Sequence, residues 1–196
     1  MSNLVHLSSR PLISHDVRIN ADTIVLDLDG TLVCSCSKDK GDGKESETLH
    51  LGRAMHALGT HVTFSDSHGD MDEVWVHKRP GFDKFLQTCF NIGKVGVWSM
   101  GQPGYVKSIV NLFPEKPEFV FDWCHCDRSS GRIFKRLSKI PIMSTNGSAI
   151  MIDDKKEILE ECSNVYVILV PEWNPRQRDD HILYDLTETI ISVKNV

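Results

Sequence analysis

The sequence predicts an α/β fold with a parallel central β-sheet, and two observations support this class. Short apolar runs of strand length alternate along the chain with segments whose apolar residues recur at helical spacing. Two of these runs end in carboxylates, Asp27 with Asp29 and Asp153 with Asp154. Because parallel strands end at the same edge of a sheet, where open α/β folds bind their ligands, we expect a functional site there.

The first half of the chain contains one clear strand. We expect residues 1–22, which mix polar and apolar groups, to lie on the surface, and the β-rich run at 23–28 to form that strand. The polar segment 37–47 can bury too little apolar area to offset its ordering entropy, so it is expected to be a mobile loop. Apolar residues at helical spacing predict a helix at 48–58. Two β-rich stretches around a polar tip predict a hairpin insertion at about 60–77.

The second half alternates helices and strands, which predicts a sheet covered on both faces. Phe82, Phe85 and Leu86 form an apolar stripe typical of a helix packed on a sheet. The predicted strands are 95–99, 119–121, 149–154 and 165–170, and the predicted helices are 82–92, 105–113, 155–162 and 182–193.

The composition is typical of a single globular domain. The chain has 196 residues, of which 40% are hydrophobic and 25% charged, and this length is enough to bury a sizeable core. We therefore expect one domain over residues 1–196, with its core at about 20–193. The formal net charge of −5 indicates no general affinity for nucleic acid, so a nucleic-acid partner is not expected.

No targeting or membrane segment is expected. Residues 1–20 contain no basic start followed by an apolar stretch, so they do not resemble a secretory signal. The apolar runs are too short to cross a bilayer, and no membrane partner is expected. The six cysteines are accordingly expected to be reduced thiols. Together these features indicate a cytoplasmic or nuclear location.

The two acidic pairs predict a metal site. Asp27 and Asp29 lie one residue apart, so strand geometry directs both side chains to the same side. Two like charges at this separation repel unless a cation neutralises them or one holds a proton. Asp153 and Asp154 add a second acidic pair at another strand end, where burial of unpaired charge is costly. Carboxylate oxygens suit Mg²⁺, so we expect a magnesium site at this edge.

The same strand ends offer the groups that phosphoryl transfer requires. Asp27 is the candidate nucleophile, which would form an aspartyl-phosphate, and Asp29 is the candidate general acid and base. The hydroxyl of Ser99 and the neighbouring main chain at Met100 are candidates to bind a phosphoryl oxygen.

Two further sets of residues leave alternatives open. A lysine is needed to balance the phosphate charge, and spacing does not choose between Lys135 and Lys139. Two Cys-x-Cys pairs, at 34–36 and 124–126, are read as buried free thiols rather than a zinc site, because their spacing is shorter than the usual zinc motif.

Five stretches of the sequence resemble one family of phosphatases. They are DLDGTL at 27–32, VHKRPGFDKFL at 76–86, VWS at 97–99 with the later Tyr105-Val106, IFKRLS at 133–138 and MIDD at 151–154. The first resembles the nucleophile motif of the haloacid-dehalogenase-like phosphotransferases. The whole set is similar to the Fcp/Scp small C-terminal-domain phosphatases, also called NLI-interacting-factor-like, and Glu172-Trp173 with Asp179-Asp180 resembles the tail of that family.

This resemblance implies a fold and an activity. The implied fold is a haloacid-dehalogenase-like, Rossmann-like three-layer sandwich with a parallel central sheet, a small β-hairpin insertion and no large cap. The implied activity is that of a Mg²⁺-dependent phosphomonoesterase acting through an aspartyl-phosphate. Because such relatives are Ser/Thr protein phosphatases that act notably on the repeat tail of RNA polymerase II, the implied partner is a phosphoprotein or phosphopeptide.

The resemblance also implies a role for each matching position. These positions are Asp27 for the nucleophile, Asp29 for the acid and base, Ser99 and Lys135 for phosphate binding, and Asp153 for orienting that lysine. Lys135 is thereby selected over Lys139. The implied metal ligands are Asp27, Asp154 and the main-chain carbonyl of Asp29.

Three positions depart from the family pattern. Gly30 stands where the small phosphatases often have Glu, Asp154 stands in place of a usual Asn, and Trp123 stands where an arginine that contacts the substrate is expected. The physiological substrate is therefore left open. The alternatives are a phosphatase acting on a nucleic-acid end or a small molecule, and a catalytically weak phosphoprotein-binding module.

Overall fold

The structure of the chain is a computed structural model that describes residues 4–6, 21–37, 58–141, 147–160, 162–177 and 179–194. Apart from Ser37 and Leu58, the mobile loop expected at 37–47 and the helix expected at 48–58 lie outside the described residues.

Six parallel strands of the described residues form the central sheet, and five of them are predicted from the sequence. The strands of the described residues are β1 (Leu4–His6), β2 (Thr23–Leu26), β3 (Val33–Ser37), β4 (Thr60–Ser65), β5 (Met71–Lys78), β6 (Lys94–Trp98), β7 (Phe119–Phe121), β8 (Asp127–Ser129), β9 (Arg132–Arg136), β10 (Ala149–Asp153), β11 (Leu159–Glu160) and β12 (Val165–Leu169). The order in the central sheet is β1–β12–β10–β2–β6–β7, and every neighbouring pair is parallel. All residues of β2 and β10, at the centre, are buried.

Three α-helices of the described residues cover one face of this sheet. They are α1 (Phe82–Ile92), α2 (Pro103–Val110) and α3 (Ile182–Lys194). Phe85 of α1, Ile109 of α2 and Leu186 of α3 pack in one core with Ile24 and Leu26 of β2. None of the described helices combines the length and the apolar character needed to cross a bilayer.

No α-helix of the described residues covers the opposite face, so the helix predicted at 155–162 is wrong. The chain there forms a 3₁₀ turn at Lys156–Ile158 and then β11, which pairs in parallel with β9. The segment has helix-favouring residues, but tertiary packing overrides that propensity because Leu159 packs into a second core with Val25 and Met151. This arrangement brings β9 over the sheet, and β9 carries Lys135.

A second, antiparallel sheet contains the predicted hairpin. β4 and β5 pair with each other, and β3 pairs with the other edge of β5. β3 was not predicted because its sequence, VCSCS, alternates cysteine and serine rather than strongly β-favouring residues, although Cys36 is buried. β1 was also missed, because it is a short edge strand within the stretch 1–22 that was expected to lie on the surface.

Candidate active site

The carboxyl ends of β2 and β10 bring the two acidic pairs together. The main-chain N–H of Asp27 donates to the carbonyl of Ile152 at 3.0 Å, so the strands remain paired up to their last residues. Asp27 therefore lies beside Asp153 and Asp154, and oxygen atoms of these three carboxylates lie within 4.8 Å of one another. No other three Asp, Glu, His or Cys side chains of the described residues converge in this way.

Lys135 neutralises part of this cluster. Its Nζ lies 2.6 Å from Asp27 Oδ1 and 2.6 Å from Asp153 Oδ2, and its side chain is completely buried. Burial by itself lowers the pKa of Lys135, but the charges of Asp27 and Asp153 outweigh burial and raise that pKa above its usual value. Lys135 is thus a buried ammonium. Lys139 instead lies on the surface and pairs with Asp127 at 2.9 Å.

Asp154 presents a buried oxygen that is suited to a cation. Its Oδ1 accepts a hydrogen bond from the Thr31 hydroxyl at 3.2 Å, whereas its Oδ2 is buried and accepts none from the described residues. Among the described residues, the nearest ammonium to Asp154 Oδ2 is Lys155 Nζ, at 3.8 Å. Burial raises the pKa of Asp154 to about 6, and the charge of Asp27 adds to the increase. A bound Mg²⁺ would satisfy this oxygen, so the donor set fits the metal.

Asp153 differs from Asp154 because protein groups already donate hydrogen bonds to both of its carboxylate oxygens. In addition to Lys135, the main-chain N–H of Lys155 donates to Asp153 Oδ1 at 2.8 Å. The two neighbouring acids therefore have different environments, one bound to the lysine and the other left open toward a cation.

Gly30 leaves the space that Asp154 occupies. Its φ of +81° lies in the left-handed region, and a Cβ built on it would lie 2.7 Å from Asp154 Oδ2. The carbonyl of Gly30 accepts a hydrogen bond from the Trp173 N–H at 2.8 Å, which fixes the turn. The positive φ and the closeness of Asp154 therefore favour glycine at this position of the chain.

Asp29 is held by a tyrosine from α2. The hydroxyl of Tyr105 donates a short hydrogen bond to Asp29 Oδ1 and also contacts the hydroxyl of Ser35 on β3. Burial raises the pKa of Asp29 to about 6, the hydrogen bond from Tyr105 lowers it, and the charge of Asp27 raises it. A carboxyl with this pKa can exist in both protonation states near neutral pH, which suits proton transfer in both directions.

A cavity of about 260 Å³ opens above these groups. It is lined by Asp27, Asp29, Ser99, Met100, Gly101, Asp154, Lys155 and Ile158. Ser99 Oγ accepts the N–H of Gly101 at 3.0 Å, which leaves the hydroxyl proton available for donation. Five of the seven predicted site residues thus line one cavity, and the other two, Lys135 and Asp153, are buried in contact with Asp27 or its lysine partner.

Arg79 supports the site, although its role has no signal in the sequence. Its guanidinium is buried and donates to both carboxylate oxygens of Asp180, at 2.9 and 2.8 Å, and to the carbonyl of Thr31 at 3.0 Å. Arg79 thus joins the loop that follows Asp27 to the segment before α3. Its position in the stretch 76–86 marks it as a residue of interest, but its partner lies 101 residues away and spacing cannot identify it.

The cysteines lie outside the acidic cluster. The pair at 34–36 is on β3, and the pair at 124–126 follows β7. All six cysteines are free thiols, but the expectation that both pairs are buried holds only for Cys36: Cys34 and Cys126 are partly exposed and Cys124 is exposed. None of the six belongs to a group of three possible metal ligands within the described ranges.

Two curated relatives of the chain are named as phosphatases or phosphatase-like. The putative CTD phosphatase-like protein 355R of Invertebrate iridescent virus 3 is 24% identical over 189 residues, which cover 87% of this chain and 96% of that protein. A phosphatase of the RNA polymerase II C-terminal domain from Encephalitozoon cuniculi is 25% identical over 99 residues, which cover 50% of this chain and 24% of that protein.

Two solved structures share the fold. One is Fcp1, described as an essential RNA polymerase II CTD phosphatase, with a TM-score of 0.56, 18% identity, and coverage of 88% of this chain and 48% of that one. The other is a variant of fission yeast Fcp1 bound to beryllium fluoride, with a TM-score of 0.53, 16% identity, and coverage of 89% and 51%. This chain spans about half the length of both, and the likeness confirms the haloacid-dehalogenase-like fold that the sequence predicts.

The family assignment rests on most of the chain, because residues 22–196 match a single family. The matched region includes every predicted site residue, from Asp27 to Asp154. The chain belongs to the family of NLI interacting factor-like phosphatases.

Proposed function

We propose that this chain is a Mg²⁺-dependent phosphomonoesterase that transfers the phosphoryl group of phosphoserine or phosphothreonine in proteins to Asp27. One observation carries the proposal: Asp27 lines the cavity that also holds Asp29, and it lies between the Lys135 ammonium and the open carboxylate of Asp154. A phosphate can approach a carboxylate nucleophile only if nearby positive charge offsets the repulsion, and this arrangement offers it.

Asp27, Asp154 and the main-chain carbonyl of Asp29 would hold the metal. Bound Mg²⁺ supplies positive charge that offsets the charge of the phosphoryl oxygens. The buried Asp154 Oδ2, which accepts no hydrogen bond from the described residues, supports this ligand set. Asp153 is not included because Lys135 and the Lys155 N–H already occupy its oxygens.

The remaining steps follow from the chain's own groups. An oxygen of Asp27 attacks phosphorus, and the bond from phosphorus to the serine or threonine oxygen breaks as Asp29 donates its proton to that oxygen. Asp29 then accepts a proton from the water that attacks the aspartyl-phosphate, which releases inorganic phosphate and restores Asp27. Lys135, the Ser99 hydroxyl and the main chain of Met100 stabilise the phosphoryl oxygens in both steps.

A protein substrate is supported by the surroundings of the cavity. Asp29, Met100 and Gly101 are partly exposed, so a phosphorylated side chain can reach the site from the surface. The names of the curated relatives, which refer to phosphatases of a polymerase tail, favour a phosphopeptide over a small metabolite.

The test measures turnover of p-nitrophenyl phosphate with Mg²⁺ by the wild type, Asp27→Asn and Asp83→Asn. Asp83 pairs with Lys78 on the surface of α1 and serves as the control. We expect EDTA to abolish turnover, Asp27→Asn to lower kcat at least about a thousandfold, and Asp83→Asn to have no effect. Equal turnover by Asp27→Asn and the wild type contradicts the proposal.

The substrate class is tested separately with phosphoserine peptides and a 3′-phosphorylated oligonucleotide. We expect kcat/KM to be higher for the peptides. Faster turnover of the oligonucleotide indicates a nucleic-acid phosphatase. No turnover of any substrate, together with phosphopeptide binding, indicates a binding module.

A further inference from the structure

Arg128 lies on the same face of a hairpin as the active-site lysine. It is the middle residue of β8 and pairs with Ile133 of β9. Because side chains alternate along a strand, Ile133 and Lys135 point to one face, and Arg128, opposite Ile133, points to the same face. Arg132 and Arg136 point to the other face. Arg128 is a diagonal neighbour of Lys135, at a typical separation of about 7–8 Å.

An indole ring connects Arg128 to the main chain that lines the active-site cavity. The guanidinium carbon of Arg128 lies 5.5 Å from the centre of the Trp123 ring, which is a cation–π contact. The main-chain N–H of Trp123 donates to the carbonyl of Gly101 at 3.1 Å, and Gly101 lines the cavity. We call Trp123 and Arg128 together the cationic shelf.

The charge of Arg128 is not neutralised by the described residues. Its neighbours are paired: Arg136 donates to Asp127 at 2.8 Å, and Lys139 lies 2.9 Å from the same carboxylate. Arg128 is exposed, and within the described part of the chain its guanidinium contacts the Trp123 ring rather than a carboxylate. A guanidinium stacked on a ring keeps its fork of N–H donors available to an anion.

An acidic turn contacts Gln102, the residue that follows Gly101. The turn between β4 and β5 contacts the loop after β6, which we call the cavity loop. The N–H of Ser67 donates to Gln102 Oε1 in this loop at 3.1 Å. This turn carries Asp66 and Asp70. A negatively charged part of a substrate is repelled at this turn and attracted toward Arg128.

We propose that the cationic shelf binds a second anionic group of the substrate, a carboxylate or a second phosphate close to the phosphorylated residue. This inference rests on the phosphatase function proposed above and names the class of phosphopeptide that the site selects. A guanidinium binds carboxylate and phosphate by two parallel hydrogen bonds. Because the Trp123 ring already restricts the Arg128 side chain, Arg128 loses less conformational entropy when it binds an anion. The chain therefore prefers acidic or doubly phosphorylated peptides to neutral ones.

The first experiment compares three phosphoserine peptides with neutral flanks, a neighbouring glutamate or a second phosphoserine. The measured quantity is the ratio of kcat/KM for each anionic peptide to that for the neutral peptide. One charge-assisted contact gives an expected ratio of about ten in the wild type. Arg128→Gln lowers the ratio to about one, mainly through KM, and high salt has the same effect. The two anionic peptides show whether carboxylate or phosphate binds better.

Arg132→Gln is the matched control. Arg132 is exposed on the same hairpin but faces a separate cavity with Phe134 and Leu159, so this variant keeps the wild-type ratio. A ratio near one in the wild type, or equal losses in Arg128→Gln and Arg132→Gln, overturns the proposal.

A second experiment does not depend on turnover. Fluorescence anisotropy measures the Kd of each peptide for Asp27→Asn and for Asp27→Asn combined with Arg128→Gln. The second variant is expected to bind anionic peptides about tenfold more weakly, with little change for the neutral peptide. If Arg128→Gln leaves the binding of all peptides unchanged, the proposal that the cationic shelf binds an anion is overturned. If p-nitrophenyl phosphate shows no turnover that depends on Asp27, this result counts against the proposed phosphatase function alone.

Discussion

The ammonium of Lys135 lies 2.6 Å from the carboxylate of Asp27, the candidate nucleophile. The same ammonium lies 2.6 Å from Asp153, and all three side chains are buried. Two carboxylates so close and so deep repel each other strongly unless a cation lies between them. Lys135 therefore stabilises the fold and the charged state of the nucleophile through the same contacts.

Replacing Lys135 with methionine tests this double role. Lys135→Met leaves the carboxylates of Asp27 and Asp153 buried without their partner, so we expect a loss of about 3–5 kcal/mol in the free energy of unfolding. Urea unfolding measures this loss, and turnover of p-nitrophenyl phosphate should fall with it.

Lys139→Met is the control for that change. Lys139 is the same type of residue, but its ion pair with Asp127 lies on the surface. The expected loss in the free energy of unfolding is therefore about 0–1 kcal/mol. Equal losses in the two variants would mean that burial of Lys135 between the acids does not matter.

Arg79→Lys tests the connection between the nucleophile loop and the segment before α3. Lysine keeps the charge but cannot donate at once to both Asp180 oxygens and to the Thr31 carbonyl. We expect a loss of about 2–4 kcal/mol by urea unfolding and a lower kcat. Lys84→Met, which alters an exposed pair with Glu188, should change neither; an Arg79→Lys variant as stable as the wild type contradicts this role.

The sequence predicted those parts of the fold and site that depend on local patterns. Asp27 and Asp153 follow apolar runs, and strand geometry alone places such residues at the carboxyl edge of a parallel sheet. The cavity loop after β6 was found through Ser99 for the same reason. The apolar stripe of α1 was likewise sufficient to predict that helix within its observed bounds.

The parts that sequence reasoning missed depend on contacts between distant segments. Tyr105 and Asp29 are 76 residues apart, and Arg79 and Asp180 are 101 apart, so neither pair has a spacing signal. The predicted helix at 155–162 failed because pairing of β11 with β9 outweighed local propensity. Spacing also did not distinguish Lys135 from Lys139, because the position of the Lys135 side chain depends on how β9 lies over the sheet.

Gly30→Ala tests whether the turn after Asp29 makes room for the metal ligand. The added Cβ would lie 2.7 Å from Asp154 Oδ2, and φ is +81°. We expect a loss of stability of about 1–2 kcal/mol from the left-handed backbone, together with weaker Mg²⁺ binding by calorimetry and lower turnover.

Gly69→Ala separates these two effects. Gly69 has φ of +88°, but no atom lies within 4 Å of its added Cβ. This variant should show a similar loss of stability with unchanged Mg²⁺ affinity. If Gly30→Ala binds Mg²⁺ as well as Gly69→Ala does, the close approach to Asp154 has no functional consequence.

Binding of Mg²⁺ should weaken in mild acid because of Asp154. Burial and the charge of Asp27 raise its pKa from 3.8 to about 6, so a proton competes with the metal below that value. We expect the affinity for Mg²⁺ to fall up to about tenfold per pH unit below about pH 6. Calorimetric titrations at about pH 5 and pH 7 measure this change, and an affinity independent of pH contradicts it.

The same shift in pKa predicts how stability changes with pH without metal. The folded protein holds the proton of Asp154 more tightly than the unfolded chain does, so the ionisation of Asp154 lowers stability as pH rises from about 4 to about 6. Asp154→Asn lacks this titration. In EDTA, the stability of the variant relative to the wild type should therefore increase over that range, as measured by urea unfolding.

Tyr105→Phe tests whether the tyrosine positions Asp29 for proton transfer. The change removes the hydroxyl that donates to Asp29 Oδ1 and contacts Ser35, but it keeps the ring that packs against Phe64. An alkyl phosphate needs a proton on its leaving oxygen more than an aryl phosphate does. The variant should therefore lose about 10–100-fold in kcat on a phosphoserine peptide and much less on p-nitrophenyl phosphate. Equal losses on the two substrates would assign Tyr105 to the shape of the cavity, because only a disturbed proton donor separates leaving groups by their basicity.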